Sequence, residues 1–226
     1  MTDAAASDSS AARDEIVRVA RLLRARRLAI GTSGNVGARL GDGRIAITPA
    51  TMDYDEMTPD DVVIVEADGS PSERRGCQPP SSRSTSVSSP RGPTSPRSST
   101  HSPYATAFAA ARRPVPAVHY ILAMLVGRGR DTLRVADYAT FGTDELARNV
   151  VTALGQDHAV LLASHGAIAV GRSLDSALGR AERVEELAML AWRAEQIGGA
   201  ALLDAAELDR VRDQMARFPA ERPGGD

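Results

Sequence analysis

From Ser70 to Ser99 the chain offers a hydrophobic core almost nothing: serine, proline and arginine dominate, and Val87 is nearly the only apolar side chain. Such a composition buries too little surface to offset the ordering of its backbone, so the stretch reads as a loop or linker. A structureless loop of about thirty residues is unusual inside a compact domain. The fold must therefore come from the patterned segments on either side.

Before this run, Ala11 to Leu28 carries Ile16, Val17, Val19, Ala20, Leu22 and Leu23 between arginines, which predicts an amphipathic helix. Residues 1–10 are acidic and small and read as a disordered N-terminus. They lack the basic-then-apolar order of a signal peptide. Gly31 to Gly37 is a glycine-rich turn, where backbone N–H groups can approach an anion closely. Such a turn is also a common structural connector. Val36–Leu40 and Arg44–Thr48 read as a hairpin around Gly41-Asp42-Gly43, and Asp61 to Val65 as another strand.

After the run, Ser102-Pro103 opens a helix reaching Ala111, with proline at an allowed first-turn position. Ala117 to Leu122 begins an apolar segment, and Leu133 to Phe141 has strand and turn character. Thr143 is a candidate cap for a helix ending at Leu154. His158 to Ala163 reads as a buried strand, Ser164-His165-Gly166 as a turn, and Ala167 to Val170 as a short strand. Ser173 to Ile197 is a long amphipathic helix, Asp204 to Phe218 a last one, and residues 219–226 a tail. One α/β domain over residues 11–218 is the expectation, with 70–99 as its aberrant segment.

Charge narrows the function. A net charge of -2 gives no electrostatic footprint for nucleic acid, and no apolar run is long enough for a membrane span, so a cytoplasmic protein is expected. Cys77 is the only cysteine, which excludes an intrachain disulfide and a Cys-rich zinc site. Every one of the 27 basic residues is arginine. Schiff-base catalysis and a P-loop both need lysine, so neither is available.

Four histidines remain as chemistry-bearing candidates. His158 opens a strand, and His119 beside Tyr120 has no distinguishing context. His165 lies between a buried strand and a glycine turn, where side chains commonly line a cleft. His101 stands at a helix start. Two histidines from separate elements could share a zinc ion, although catalytic zinc takes three protein ligands and an open position. Spacing alone does not decide the matter.

The motifs in their order do more. Gly31-Thr-Ser-Gly-Asn-Val36, Ile47-Thr-Pro49, Pro80-Ser-Ser82, Thr100-His-Ser-Pro-Tyr-Ala-Thr-Ala107, Pro116-Ala-Val-His-Tyr120, Tyr138-Ala-Thr-Phe-Gly-Thr143 and Ser164-His-Gly166 together resemble the class II aldolase/adducin family. The resemblance implies a single α/β domain with a mostly antiparallel central sheet flanked by helices. It also implies a homotetramer with active sites between subunits, and a Zn2+ ion held by histidines. The implied reaction is aldol cleavage of a sugar 1-phosphate, of the L-fuculose 1-phosphate type, to dihydroxyacetone phosphate and an aldehyde. By matching position, His101 and His165 are implied metal ligands. Tyr120 is the implied catalytic tyrosine, reaching a neighbouring subunit. Gly34, Asn35, Ser81 and Ser82 are implied phosphate-binding residues.

Two key positions depart from the family pattern. Ser99 stands where a first histidine of a His-x-His pair is expected, and Arg83 stands where a proton-transferring glutamate is expected. Ala50-Thr51 replaces the usual Ser/Thr-Gly after Ile-Thr-Pro. Arg83 to Ser99 is expected to be translated out of frame. With GC-rich synonymous codons, Ser84 to Thr100 can be re-read two nucleotides along as His-Leu-Gly-Leu-Leu-Pro-Ala-Arg-Pro-Asp-Val-Pro-Ala-Val-Val-His-Thr. The alternative is a divergent loop in a relative without catalysis. Either way, the chain as written is expected to lack a metal ligand, the proton-transfer carboxylate, and a helix and strand of the core. Impaired activity is the expectation. Epimerase, dehydratase or decarboxylase chemistry on a sugar phosphate, or an adducin-like scaffold role, are the alternatives.

Overall fold

The computed structural model describes residues 2–67, 70 and 96–217. The first helix, α1, spans Thr2–Ala25. It begins well before the expected start at Ala11, which corrects the reading of the first ten residues as disordered. The reason is local: residues 2–12 hold five alanines and neither proline nor glycine, so nothing stops the helix from running back. Ile16, Val19, Ala20 and Leu23 are wholly buried along one stripe of it.

Seven strands form the main sheet: β1 (Asn35–Arg39), β2 (Ile45–Ile47), β3 (Val63–Val65), β4 (Arg97–Thr100), β7 (Val135–Ala136), β8 (Ala159–Leu162) and β9 (Gly166–Val170), in the spatial order β3-β2-β1-β4-β9-β8-β7. Every neighbouring pair is antiparallel except β7 with β8. Two further strands, β5 (Val115–Pro116) and β6 (Thr132–Leu133), form a small ribbon. The expected mostly antiparallel α/β domain is what forms.

The β1–β2 hairpin turns as its sequence requires. Gly43 takes φ +97°, the Leu40 N–H donates to Arg44 O at 2.8 Å, and the Asp42 carboxylate accepts from the Arg44 N–H at 3.0 Å. β4 is a correction. The Ser/Pro run was expected to be structureless to Ser99, with a core strand missing. Instead Arg97–Thr100 fills the middle of the sheet, bonded to β1 on one side and β9 on the other. A strand ladder is made by backbone groups, so two waiting edges can order a segment whose side chains carry no strand signal.

Helices cover both faces. α2 (Pro103–Ala110) and α4 (Leu174–Gln196) pack with α1 over the main core, where Val184, Leu187 and Ala188 are fully buried. α3 (Asp144–Leu154) covers the other face, setting Leu146, Val150 and Leu154 against Val160, Leu162, Ile168 and Val170. α5 (Ala205–Arg217) ends the described chain and packs on the short 3-10 turn Tyr120–Met124. Thr143 caps its helix as its sequence suggests, Oγ1 accepting from Leu146 N–H at 3.3 Å, and Ser173 Oγ accepts from Ser176 N–H at 3.1 Å. Asp157, fully buried, accepts from Gly127 N–H at 2.6 Å and pairs with Arg130 and Arg134 at 3.3 and 3.1 Å. No helix among the described residues is long and apolar enough to cross a membrane.

Candidate active site

A cleft of about 500 Å³ opens where the ends of β1, β4 and β9 meet. One wall is the glycine-rich turn with Thr32, Gly34 and Asn35, and another is the run Thr48 to Thr51. His101 and His165 close the inner end, and Tyr138 and Phe141 stand at the rim.

His101 leaves β4 and precedes the first turn of α2, its own N–H donating to Leu28 O at 3.0 Å. The Ser102 hydroxyl makes no cap on α2. Glu185 from α4 takes that task, accepting from the Tyr104 and Ala105 N–H groups at 3.0 and 2.9 Å. His165 sits in the tight turn between β8 and β9. That turn is reached by Ser164 at φ +56°, an uncommon conformation outside glycine. Gly166 follows because only glycine fits: a Cβ there would lie 2.2 Å from Thr100 O and 3.1 Å from the His101 ring. This close approach draws β9 onto β4 and sets the two imidazoles edge to face, with centroids 4.9 Å apart.

Burial, with His165 nearby as a second cause, pushes the His101 pKa down to about 4, and burial lowers that of His165 as well. Both rings are therefore neutral at pH 7 and present lone pairs. The zinc that the sequence resemblance implies does not fit this donor set. No group of three His, Cys, Asp or Glu side chains with metal-holding geometry occurs among the described residues. A catalytic zinc takes three protein ligands, and here two nitrogens converge.

The glycine-rich turn of the cleft is held close against β4. Gly34 has φ +85°, and a Cβ on it would meet Ser99 O at 2.8 Å, so the turn can lie close against β4 only as glycine. The Tyr54 hydroxyl donates to Gly34 O at 2.8 Å and ties the turn down from below. Thr48 Oγ1 accepts from the Val36 N–H at 3.2 Å. Asn35 Oδ1 is buried with no hydrogen-bond partner, and it belongs to an amide that can offer a ligand either an oxygen or a nitrogen. Ser33 faces away, bonded to Ile30. Among the described residues no arginine lines the cleft.

Four of the sequence candidates thus meet in one cleft: Gly34, Asn35, His101 and His165. Tyr120 does not line it. It begins the 3-10 turn after His119, stacks on that ring at 4.5 Å, and is 49% exposed. Ser81, Ser82 and Arg83 lie outside the described residues. The sequence singles out neither Thr32 nor Thr48 as a cleft residue, nor Tyr54 as the tie to Gly34, whereas Ala50-Thr51, noted as departing from the family pattern, does line the cleft. Ile47-Thr48-Pro49 is one of the family-like motifs, and the Thr48 hydroxyl in it is the available signal.

The cleft thus combines paired histidines with a glycine turn at one end of a mostly antiparallel sheet. The sequence pattern described as Class II Aldolase and Adducin N-terminal domain matches residues 14–89 and 99–192. The chain is 37% identical over 211 residues to a 5-methylthioribulose-1-phosphate/5-deoxyribulose-1-phosphate aldolase of Rhodospirillum rubrum, covering 92% of each. It is 36% identical over 158 residues to an L-fuculose phosphate aldolase of Haemophilus influenzae, covering 70% of this chain and 71% of that protein. A solved L-fuculose 1-phosphate aldolase superposes with a TM-score of 0.83 at 30% identity, covering 92% of this chain and 97% of the other. The chain belongs to the class II aldolase/adducin family.

Proposed function

We propose that the cleft takes a ketose 1-phosphate and that its native reaction is aldol cleavage to dihydroxyacetone phosphate and an aldehyde. The observation that carries this reading is one cleft lined both by the glycine-rich turn with its neighbouring threonines and by a pair of imidazoles whose centroids are 4.9 Å apart. By their names, the Rhodospirillum rubrum relative acts on 5-methylthioribulose 1-phosphate and the solved structural relative on L-fuculose 1-phosphate. Both are ketose 1-phosphates, which supports that substrate class.

Cleavage breaks the carbon–carbon bond between the carbons α and β to the ketone, leaving the electron pair on the α carbon. A base must take the hydroxyl proton of the departing aldehyde, and positive charge must steady the enediolate left behind. A proton must then reach the carbanion carbon. His101 and His165 can accept hydrogen bonds or a proton, and the Thr32, Gly34, Asn35 and Thr48 region can hold the phosphate. Among the described residues, no cation lines the cleft to face the enediolate, and zinc finds only two ligands. The chain as written is therefore a sugar-phosphate binder with strongly impaired cleavage. Loss of a proton-transfer group alone typically costs about 10²–10⁴-fold. Tyr120, exposed and away from its own cleft, suits the part of proton donor to a neighbouring copy's cleft in a homotetramer.

A panel of phosphorylated ketoses tests this reading. Calorimetry should show a ketose 1-phosphate binding, weakened by Gly34→Val, with little or no cleavage product. Products of epimerisation, dehydration or decarboxylation would instead assign one of those reactions. Absence of any sugar-phosphate binding would favour a scaffold, a reading that the two-ligand metal position also suits.

A further inference from the structure

The side chains of the sheet's middle strand do not suit its place. Residues of β4 alternate between the two sheet faces. Ser98 pairs with Val36 and Ala169, and Thr100 with Ala167, so both hydroxyls face the main apolar core. Ser98 is 0% and Thr100 1% exposed, and neither hydroxyl has a hydrogen-bond partner. Each such hydroxyl is a cost that an apolar side chain would not carry. On the other face Arg97 lies across from Gly37 and Val170, where burial pushes its guanidinium pKa down to about 10. Ser99 is paired with Asn35 and Ile168, and Asn35 lines the cleft together with both histidines.

The out-of-frame reading of this stretch places valine at 97 and at 98 and histidine at 99; it keeps threonine at 100, so of the two orphan hydroxyls only that of Ser98 bears on the frame. Both valines fall against apolar partners, one on each face, and the histidine falls beside Asn35. The family match is interrupted over residues 90–98 and resumes at Ser99.

We infer that β4 carries side chains displaced by a reading-frame change, and that Ser99 occupies a vacated ligand position. In consequence, the chain as written retains no catalytic divalent metal at the His101–His165 pair. The metal part rests on the family reading; the strand part rests on packing and on the out-of-frame reading with GC-rich codons.

Zinc stoichiometry and thermal stability test the two parts without any substrate, so failure here is separable from failure of the proposed reaction. The full chain and Ser99→His are each loaded with zinc, dialysed against metal-free buffer and assayed by elemental analysis and chelator competition. The expected result is under about a tenth of a zinc ion per chain for the parent and about one for Ser99→His. The affinity should rise about a hundredfold and be lost again on adding His101→Ala. If Ser99→His alone misfolds, the combination Arg97→Val, Ser98→Val, Ser99→His carries the same assay. Stoichiometric zinc in the parent, or no gain in the folded variants, overturns the metal part. Ser98→Val should raise Tm by about 2–4 °C, and Ser98→Ala should not lower it. A fall in Tm with both overturns the strand part. Coding DNA across codons 83–101 with no His-Thr-His in any frame overturns the reading-frame origin.

Discussion

Gly166 shows how a single missing carbon can build a site. Its place against the Thr100 carbonyl leaves no room for a methyl group, and the His101 ring lies just beyond. Gly166→Ala should therefore force β9 from β4, at a cost of about 3 kcal/mol. A denaturant titration would show it as a lower midpoint, and an unchanged midpoint would mean that the strands can part cheaply. The histidines themselves give a pH signature. The folded-state pKa of His101, about 4, lies below the ordinary value of 6.5, so the folded chain binds fewer protons than the unfolded one between those values. Stability is fully present above pH 6.5 and declines as the pH falls towards 4. His165 adds to the same trend, its pKa being lowered by burial. Urea midpoints measured from pH 7 to pH 4 should fall more steeply for the parent than for His101→Asn. Parallel curves would show that the ring is not buried neutral.

At the scale of elements, Glu185 holds the start of α2 in place of the missing serine cap. Both of its carboxylate oxygens take backbone N–H groups. Glu185→Ala should cost about 2 kcal/mol, and Glu185→Gln less, since one amide oxygen still accepts. Thermal melts of the pair would read this ordering, and equal losses would indicate that charge rather than hydrogen bonding secures the helix. What the sequence made legible follows the range of the forces involved. Gly41-Asp42-Gly43 and Thr143 announced their turn and cap because each bonds within a few residues of itself. His101 and His165 were legible as motif positions. Their meeting in space depends on Gly166 and on register between distant strands. β4 was illegible, since its neighbours β1 and β9 determine it and its own residues argue against it. Tyr54 and Glu185 were missed for the same reason: each acts on backbone far along the chain.

For the whole molecule, the exposed Tyr120, Met124, Trp192 and Ile197 are large apolar side chains left at the surface. If four copies assemble as proposed, sedimentation equilibrium should report a tetramer at micromolar concentration, and a clean monomer would remove Tyr120 from any neighbour's cleft. The position of β4 bears on something further. It is the seam between a half-sheet of β3, β2 and β1 and another of β9, β8 and β7. Were it to slip out, two long raw edges would face solvent at once, each able to recruit a strand from another chain. The fold's tolerance of an ill-suited strand is thus matched by a hazard during synthesis: this polypeptide should partition into inclusion bodies more readily than the variant with valines at 97 and 98. The soluble fraction after expression at two temperatures would measure that difference.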